Sequence, residues 1–504
     1  MAPSELEVIQ NLVKAAESGN AVAQCVLGKL YYLGEGVPPD KKEALSWFER
    51  SAEGDCLDAQ YILGKVYLEG FIAPVDYDKA RHWLSRAADR RHSLAEADLG
   101  RIYLNGSGVP EDPETAFGWF LKAAMDGNVS AQYNVGLMYL GGCGTEADPA
   151  KAFMWFKNAA REGDVPSRFN VGLMLFTGEG AEQDYLEARE WFEKAAGDGD
   201  AASEFYLGLM YEEGRGVPVD AFKALEYYKR ASLKGYSKAQ YCLGLRYLSG
   251  EGISQDEEEA FYWLEKAAES GNSYAAFELG LMHLYGKGTA PDPDAAFARF
   301  VMAAEAGLAG AAANLGSMYL KGQGAPQDFD KAREWSLKGA EGGVGEAMLN
   351  LGLLHFYGRG VQRNYAMAID WFRKAAAEGS REAYYELGLM FFQGAGVARD
   401  YEQAYEYFSK GDAEGEIQSS LYTGILMLNG YGAPLDTERG LAKVRAAADA
   451  GLAEAEYFMG VIRLQGLGVD PCEEEGLEWL RKAAVKGHAR AAEELESRGG
   501  RRDS

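Results

Sequence analysis

Cysteine and histidine are scarce in this chain of 504 residues, which contains five of each. The cysteines follow no common spacing, so the sequence indicates neither a disulfide framework nor a Cys-x-x-Cys metal site. They are Cys25, Cys56, Cys143, Cys242 and Cys472. Two histidines, His283 and His355, take the place of an aromatic residue in a repeated pattern described below, so we interpret them as core residues rather than as metal ligands or proton shuttles.

Long apolar runs are also lacking, since no stretch of about 18 apolar residues occurs, and the sequence predicts no membrane insertion. The first residues, MAPSELEVIQ, show neither the basic start nor the apolar stretch of a secretion signal. We therefore expect a cytoplasmic protein. A secreted or periplasmic location is the alternative if a signal peptide has been removed.

Positive charge is in short supply, with 51 Lys and Arg against 77 Asp and Glu and a net charge of −26. Phosphates would be repelled along most of such a surface, which argues against nucleic-acid binding. We expect protein or peptide partners, and a monomer.

The sequence also lacks the motifs that support catalysis. A Ser-x-x-Lys pair, a Gly-x-Ser-x-Gly elbow, a His-Glu-x-x-His pair, a Walker loop and an EF-hand loop are all missing. We therefore predict a protein that is not an enzyme and needs no cofactor.

Glycine, in contrast, is abundant and regularly placed. Of 63 glycines, thirteen recur every 36 residues, and we call them the central glycines. A period of this size predicts a solenoid of stacked supersecondary units. The central glycines are Gly28, Gly64, Gly100, Gly136, Gly172, Gly208, Gly244, Gly280, Gly316, Gly352, Gly388, Gly424 and Gly460.

Other positions of the repeat are equally regular, and together they predict a helical hairpin. Gly follows six residues after every central glycine, where a residue free to adopt positive φ can end a first helix such as 130–141. Asp stands twelve residues after it in eleven repeats, where its carboxylate can cap a second helix. All nine tryptophans stand nineteen residues after it, and we interpret them as core packing.

This pattern closely resembles the Sel1-like repeat family, a relative of the tetratricopeptide repeat. The fourth repeat carries the resemblance in Ala131, Tyr133, Gly136, Tyr139, Gly142, Gly144, Asp148, Lys151, Ala152, Trp155, Phe156 and Ala160. The resemblance implies an all-α fold, a right-handed α-solenoid superhelix whose first helices line a concave groove. It also implies a scaffold or adaptor function in protein–protein interaction.

One branch of that family is cysteine-rich, with a disulfide in each repeat and binding of β-lactams. This chain lacks the paired cysteines, which disfavours a β-lactam-binding or hydrolase-like enzyme. A structural spacer without a specific ligand is the other alternative to a scaffold.

We expect three segments along the chain: a capping helix in residues 1–22, a single solenoid of thirteen repeats in 23–490, and a polar capping helix with a frayed tail in 491–504. Ser4 and Glu7 have the spacing of a capping box at the start of the first helix.

Binding residues are expected on the first helix of each repeat, two before, one after and five after the central glycine. We call these the groove positions, by analogy with tetratricopeptide proteins. One after the glycine, the first three repeats carry Lys29, Lys65 and Arg101 where most others carry Leu, Ile or Val. These cations either bind a carboxylate of a partner or form ordinary surface ion pairs, since Asp98 and Glu69 stand at helical spacing.

Two before the glycine, asparagine occurs in two neighbouring pairs, Asn134 with Asn170 and Asn314 with Asn350. Its amide can pair with a peptide backbone whatever the side chains, although hydrogen bonding between repeats is the alternative. The sequence therefore predicts that the cations and the first pair bind an extended segment with an acidic residue or a free carboxylate. A weaker second site is predicted around the other pair, with Tyr285 and Tyr357 as aromatic anchors.

Overall fold

The computed structural model describes residues 5–499, which contain helices joined by turns and no strand. Contacts divide the chain into two compact units, Met1–Leu243 and Gly244–Ser504, which we call the N-terminal and the C-terminal unit. The described part of the N-terminal unit contains helices α1 (Glu5–Glu17), α2 (Ala21–Leu33), α3 (Lys41–Glu53), α4 (Leu57–Glu69), α5 (Tyr77–Ala88), α6 (Ser93–Leu104), α7 (Pro113–Met125), α8 (Val129–Gly141), α9 (Pro149–Arg161), α10 (Val165–Thr177), α11 (Tyr185–Gly197), α12 (Ala201–Glu213) and α13 (Ala221–Leu233).

Helix α14 (Ser237–Ser249) includes the boundary between the units. The described part of the C-terminal unit continues with α15 (Glu257–Glu269), α16 (Ser273–Tyr285), α17 (Pro293–Glu305), α18 (Ala309–Lys321), α19 (Phe329–Glu341), α20 (Gly345–Tyr357), α21 (Tyr365–Ala377), α22 (Arg381–Gln393), α23 (Tyr401–Ala413), α24 (Ile417–Asn429), α25 (Thr437–Asp449), α26 (Ala453–Gln465), α27 (Glu473–Val485) and α28 (Ala489–Gly499).

The even-numbered helices from α2 to α26 each carry a central glycine, and we call them A helices. The odd-numbered helices from α3 to α27 follow them, and we call them B helices. Each described A helix outside the boundary packs on the B helix that follows it and forms the predicted hairpin. The expected all-α solenoid of helix-turn-helix repeats is confirmed as the fold class.

Each central glycine faces one buried side chain of its own hairpin, twenty residues further along. A Cβ atom on Gly136 would lie 2.6 Å from the Phe156 ring, and one on Gly28 would lie 2.8 Å from Phe48. The residue at this later position is buried in all thirteen repeats. The 36-residue glycine period therefore marks where the A helix makes room for the buried residue at this position of the B helix.

The turn inside each hairpin is closed by backbone hydrogen bonds. Gly142 has a φ of 66°, and its N–H donates to the Met138 carbonyl, which ends α8. The Asp148 N–H then donates to the Tyr139 carbonyl at 2.8 Å, while its carboxylate accepts from the Lys151 N–H at 3.0 Å. One aspartate thus joins the end of the A helix to the start of the B helix, as its predicted capping role requires.

The tryptophans form part of the core but not its centre, so the prediction for them is only partly correct. Trp47, Trp191 and Trp479 are buried, whereas the other six are half-buried. A cation three residues later covers the ring in several repeats; the Lys122 ammonium lies 4.1 Å from the Trp119 ring centre. The core centre lies one residue after the tryptophan, at the position that faces the central glycine.

The two terminal helices each pack on one neighbour. Ala16 of α1 is fully buried in a cluster with Leu27, and Ala491 of α28 is fully buried in a cluster with Leu480. Ser4, the predicted capping residue, and residues 500–504 of the predicted tail lie outside the described residues.

Candidate functional site

The three cations at the groove positions all have carboxylate neighbours within the chain. The Lys29 ammonium lies 3.9 Å from Asp58, and the Lys65 ammonium contacts Glu69 and lies 3.8 Å from the Asp98 carboxylate. The Arg101 guanidinium contacts the same Asp98. The helical ion pairs that the spacing allows are therefore present.

Asp98 is fully buried, although it occupies a groove position where the next two repeats carry asparagine. A buried carboxylate costs free energy unless it is paired, and Lys65 and Arg101 supply that pairing. The Arg101 side chain nevertheless remains 56% exposed. A guanidinium has five N–H donors, so Arg101 can contact Asp98 and still bind a second group.

The first asparagine pair lies on the same face of α8 and α10. The Asn134 amide donates to the Ser130 carbonyl at 2.7 Å, and the Asn170 amide donates to the Pro166 carbonyl at 2.9 Å. Burial, and secondarily the Asp164 carboxylate, raises the pKa of the Tyr133 hydroxyl, which stands beside Asn134 in the sequence. Both amides thus hydrogen-bond to the backbone of their own helix.

The second asparagine pair behaves differently in its two members. Asn314 donates to the Gly310 carbonyl at 2.9 Å, like the first pair. Asn350 is only 4% exposed, and its amide nitrogen is buried without a hydrogen-bond partner among the described residues. Asn350 is therefore the one member of the four whose donor is left unused.

The two predicted aromatic anchors are exposed. The Tyr285 side chain is 66% exposed and Tyr357 is 47% exposed. The Arg359 guanidinium lies 4.9 Å from the Tyr357 ring centre. Both tyrosines are available to a partner, but neither lines the cavity next to Asn350.

That cavity has a volume of about 500 Å³ and is formed by α18, α20 and the turn between α21 and α22. Its lining includes apolar side chains from two A helices and polar side chains that the sequence analysis did not select. Besides Asn350, which was predicted, the polar ones are Ser317, Lys321, Glu346, Glu378, Ser380 and Glu382. The sequence does contain one indication of this cavity, because Glu346 and Glu382 each stand six residues before one of two consecutive central glycines.

The surroundings of His283, His355 and Cys25 indicate structural roles for these residues. The His283 ring packs edge-on against Phe261 at 5.2 Å, as Tyr139 packs against Phe117, so it does replace a tyrosine. Burial lowers the pKa of His283 and of His355. Burial likewise raises the pKa of the Cys25 thiol to about 12, which keeps it protonated at neutral pH.

Residues 5–499 contain no group of three or more His, Cys, Asp and Glu side chains placed to hold a metal ion. Among the same residues, no helix is both long enough and apolar enough to cross a membrane.

A family model described as the Sel1 repeat matches the chain twelve times. The matches run without a gap from residue 21 to 411 and resume over 453–488. The intervening hairpin, α24 with α25, is present in the structure although it is not matched.

Two solved structures support the same relationship. A protective antigen of uropathogenic Escherichia coli with an SLR fold is 30% identical, with a TM-score of 0.65, and the match covers 96% of this chain and 97% of that one. A Sel1 repeat protein from Oxalobacter formigenes is 33% identical, with a TM-score of 0.52, over 62% of this chain and 89% of that one. No curated protein matches the chain.

Proposed function

Since this chain belongs to the Sel1 repeat family, we propose that it is a non-enzymatic scaffold that binds extended segments of partner proteins along its A helices. Sel1 repeat solenoids are in general non-enzymatic scaffolds for protein interaction. The proposal adds where this chain binds and what it binds. In the N-terminal unit the ligand is a segment with an acidic residue or a free carboxylate.

The observation that carries the proposal is the succession of polar groove positions on five consecutive A helices, α2 to α10. Lys29, Lys65 and Arg101 stand on the first three of these helices, and Asn134 and Asn170 stand on the next two. An extended chain that passes over several helices can meet the cations with its carboxylate and the amides with its backbone.

Asp98 supports this arrangement, because a buried carboxylate fixes the two cations that contact it. Side chains held in place lose less conformational entropy when a ligand binds. Lys29 and Arg101 keep about half of their side-chain surface exposed, so a partner can reach them.

Asp98 also decides how the proposal should be tested. Alanine at Lys65 and Arg101 alone would leave Asp98 buried and unpaired, which would destabilise the fold. The better variant combines Lys65→Leu, Asp98→Asn and Arg101→Leu. It gives the third repeat the Asn and Leu that the fourth and fifth repeats have at these two groove positions, and it gives the second repeat their Leu.

The measurement is retention of the full chain on short peptides that carry either a central glutamate or a free C-terminal carboxylate. We expect the triple variant to fold normally and to lose retention by roughly tenfold or more, since each lost charge-assisted hydrogen bond weakens binding. A matched control, Lys42→Ala with Arg161→Ala, removes two exposed cations from α3 and α9 and should retain the peptides. Equal retention by the triple variant and the control would refute the proposed site.

A further inference from the structure

We propose that the cavity beside Asn350 binds a lysine or arginine side chain of an extended peptide, together with the backbone carbonyl next to it. The inference rests on the scaffold function proposed above. It adds a second binding site in the C-terminal unit. This site selects a positively charged side chain, whereas the site in the N-terminal unit selects a carboxylate.

The side-chain amide of Asn350 has an unused hydrogen-bond donor. Three asparagines in the same register, Asn134, Asn170 and Asn314, donate their amide to the carbonyl four residues earlier. Asn350 has no such bond, and its amide nitrogen is buried at the cavity wall. A buried N–H without an acceptor is destabilising, because it has lost its hydrogen bonds to water and gained none in the protein. A peptide carbonyl that enters the cavity would supply the missing acceptor.

A second buried polar atom lies at the same cavity. Ser380 precedes α22 and is 9% exposed, and its hydroxyl has no partner among the described residues. In several other repeats the residue at this position caps the A helix through its side chain, as Asn128 does, whereas the apolar Leu308 and Val344 do not. The Ser380 hydroxyl does not cap α22, so its capacity to donate and accept hydrogen bonds is unused within the described residues.

The charges around the cavity select a cation. Glu346, Glu378 and Glu382 line it, while Lys321 is the one basic residue of the lining. Arg381, outside the lining, pairs with Glu382 at 3.3 Å. Glu346 and Glu378 have no salt bridge within the described residues, so the cavity attracts a positive group and repels a carboxylate.

The apolar part of the lining fits the rest of such a side chain. Leu320, Leu349 and Leu353 contribute the apolar wall. Lysine and arginine have methylene stems that pack on apolar surface while their charged ends reach carboxylates. The cavity thus offers contacts for the stem, for the charge and for the adjacent carbonyl of one residue.

The test uses the full chain and three pools of short peptides, N-acetylated and C-amidated, with lysine, norleucine or glutamate at the centre. Norleucine keeps the apolar stem and lacks the charge. We expect the lysine pool to bind more tightly than the norleucine pool, and the acetyl group excludes recognition of a free amino terminus.

Two variants probe the two kinds of contact. Asn350→Leu removes the donor and should lower retention of the lysine pool roughly tenfold while the thermal midpoint is unchanged or raised, because an unpaired buried amide is removed. Glu346→Gln with Glu378→Gln removes the charge and should reduce the preference for lysine over norleucine. The matched control, Glu305→Gln with Glu341→Gln, removes the same charge from exposed ends of α17 and α19 and should keep that preference.

The proposal is overturned if norleucine and lysine pools bind equally, or if folded Asn350→Leu retains the lysine pool. It is also overturned if the acetylated lysine pool is not retained at all. Failure of the site proposed in the N-terminal unit would show instead in the glutamate pool with the Lys65, Asp98 and Arg101 variant, so the two failures can be told apart.

Discussion

At the scale of single residues, the repeat depends on a small residue that faces a large one. Gly136 and Phe156 illustrate the pair, since the ring occupies the space that a methyl group on the glycine would need. Other glycines are required for a different reason. Gly127 has a φ of 84° and no neighbour that a Cβ would meet, so only its backbone conformation demands glycine.

The packing requirement predicts that Gly136→Ala destabilises the protein by about 1–3 kcal/mol through overpacking against Phe156. Gly118→Ala is the matched control, because Gly118 lies inside helix α7 with open space around it. Alanine there should stabilise by about 0.5–1 kcal/mol through helix propensity. Chemical denaturation followed by circular dichroism measures both. A stabilising Gly136→Ala would show that packing does not require the glycine period.

The conformational requirement predicts that Gly127→Ala costs about 1–2 kcal/mol, the cost of a left-handed backbone for a residue with a Cβ. Asp55 and Arg91 occupy the same register with φ of 63° and 61°, so two repeats tolerate that strain. The same denaturation experiment checks this cost. If Gly127→Ala raised the free energy of unfolding as much as Gly118→Ala does, the predicted cost of the left-handed backbone would be contradicted.

The half-buried Glu386 predicts how stability depends on pH. Burial, and secondarily Glu416, raises the pKa of Glu386 from 4.5 to about 7. Between these values the folded chain binds a proton that the unfolded chain has lost, so stability falls as pH rises through this window. Glu386→Gln removes that contribution, whereas Glu382→Gln on the exposed side of α22 should not. The account would be contradicted if the thermal midpoints of Glu386→Gln and of the unchanged protein changed in the same way between pH 5 and pH 8.

The sequence predicts which ion pairs form, but it does not predict how deeply their side chains are buried. The spacing of Asp98 and Arg101 indicates a helical pair, and the pair is present. That Asp98 is fully buried depends on the neighbouring helices, which a helical spacing does not describe. The unused amide of Asn350 could not be predicted for the same reason, because it differs from three identical residues only in its surroundings.

At the scale of helices, hairpin formation follows from local signals at both ends of each element. Left-handed glycines end the A helices, and aspartates begin most B helices, so the sequence predicts nearly every boundary. The hairpin α24 with α25 forms with Lys443 in the tryptophan position and Gly440 in the usual alanine position. There the Gly424 and Gly440 backbones approach each other closely, and the buried Val444 takes the position that faces the central glycine.

Capping makes a prediction at this scale. The Asn128 side chain accepts a hydrogen bond from the Ala131 N–H at 2.9 Å at the start of α8. Asn128→Ala should therefore destabilise the protein by about 1 kcal/mol. Asn128→Asp keeps the acceptor and serves as the control. Equal denaturation midpoints for the alanine variant and the unchanged protein would contradict the capping role.

At the scale of the whole molecule, a 36-residue period and a net charge of −26 constrain the fold class and the kind of partner more than the binding site. The period fixes scaffold positions that every repeat shares, so binding residues can only be sought among positions that vary. Those variable positions include the cations of the N-terminal unit. They also include Glu346 and Glu382. Their role can be recognised only from the cavity that they line together with other residues of α18, α20 and α22.

The central claim is that peptides bind along the A helices. Photo-crosslinking tests it most directly, with glutamate-centred and lysine-centred peptides that carry a benzophenone group, followed by mass spectrometry of the full chain. The account predicts crosslinks on α2 to α10 for the glutamate peptides and on α18 to α22 for the lysine peptides, concentrated on A helices. Crosslinks concentrated on the exposed faces of B helices, or spread evenly over both, would contradict it.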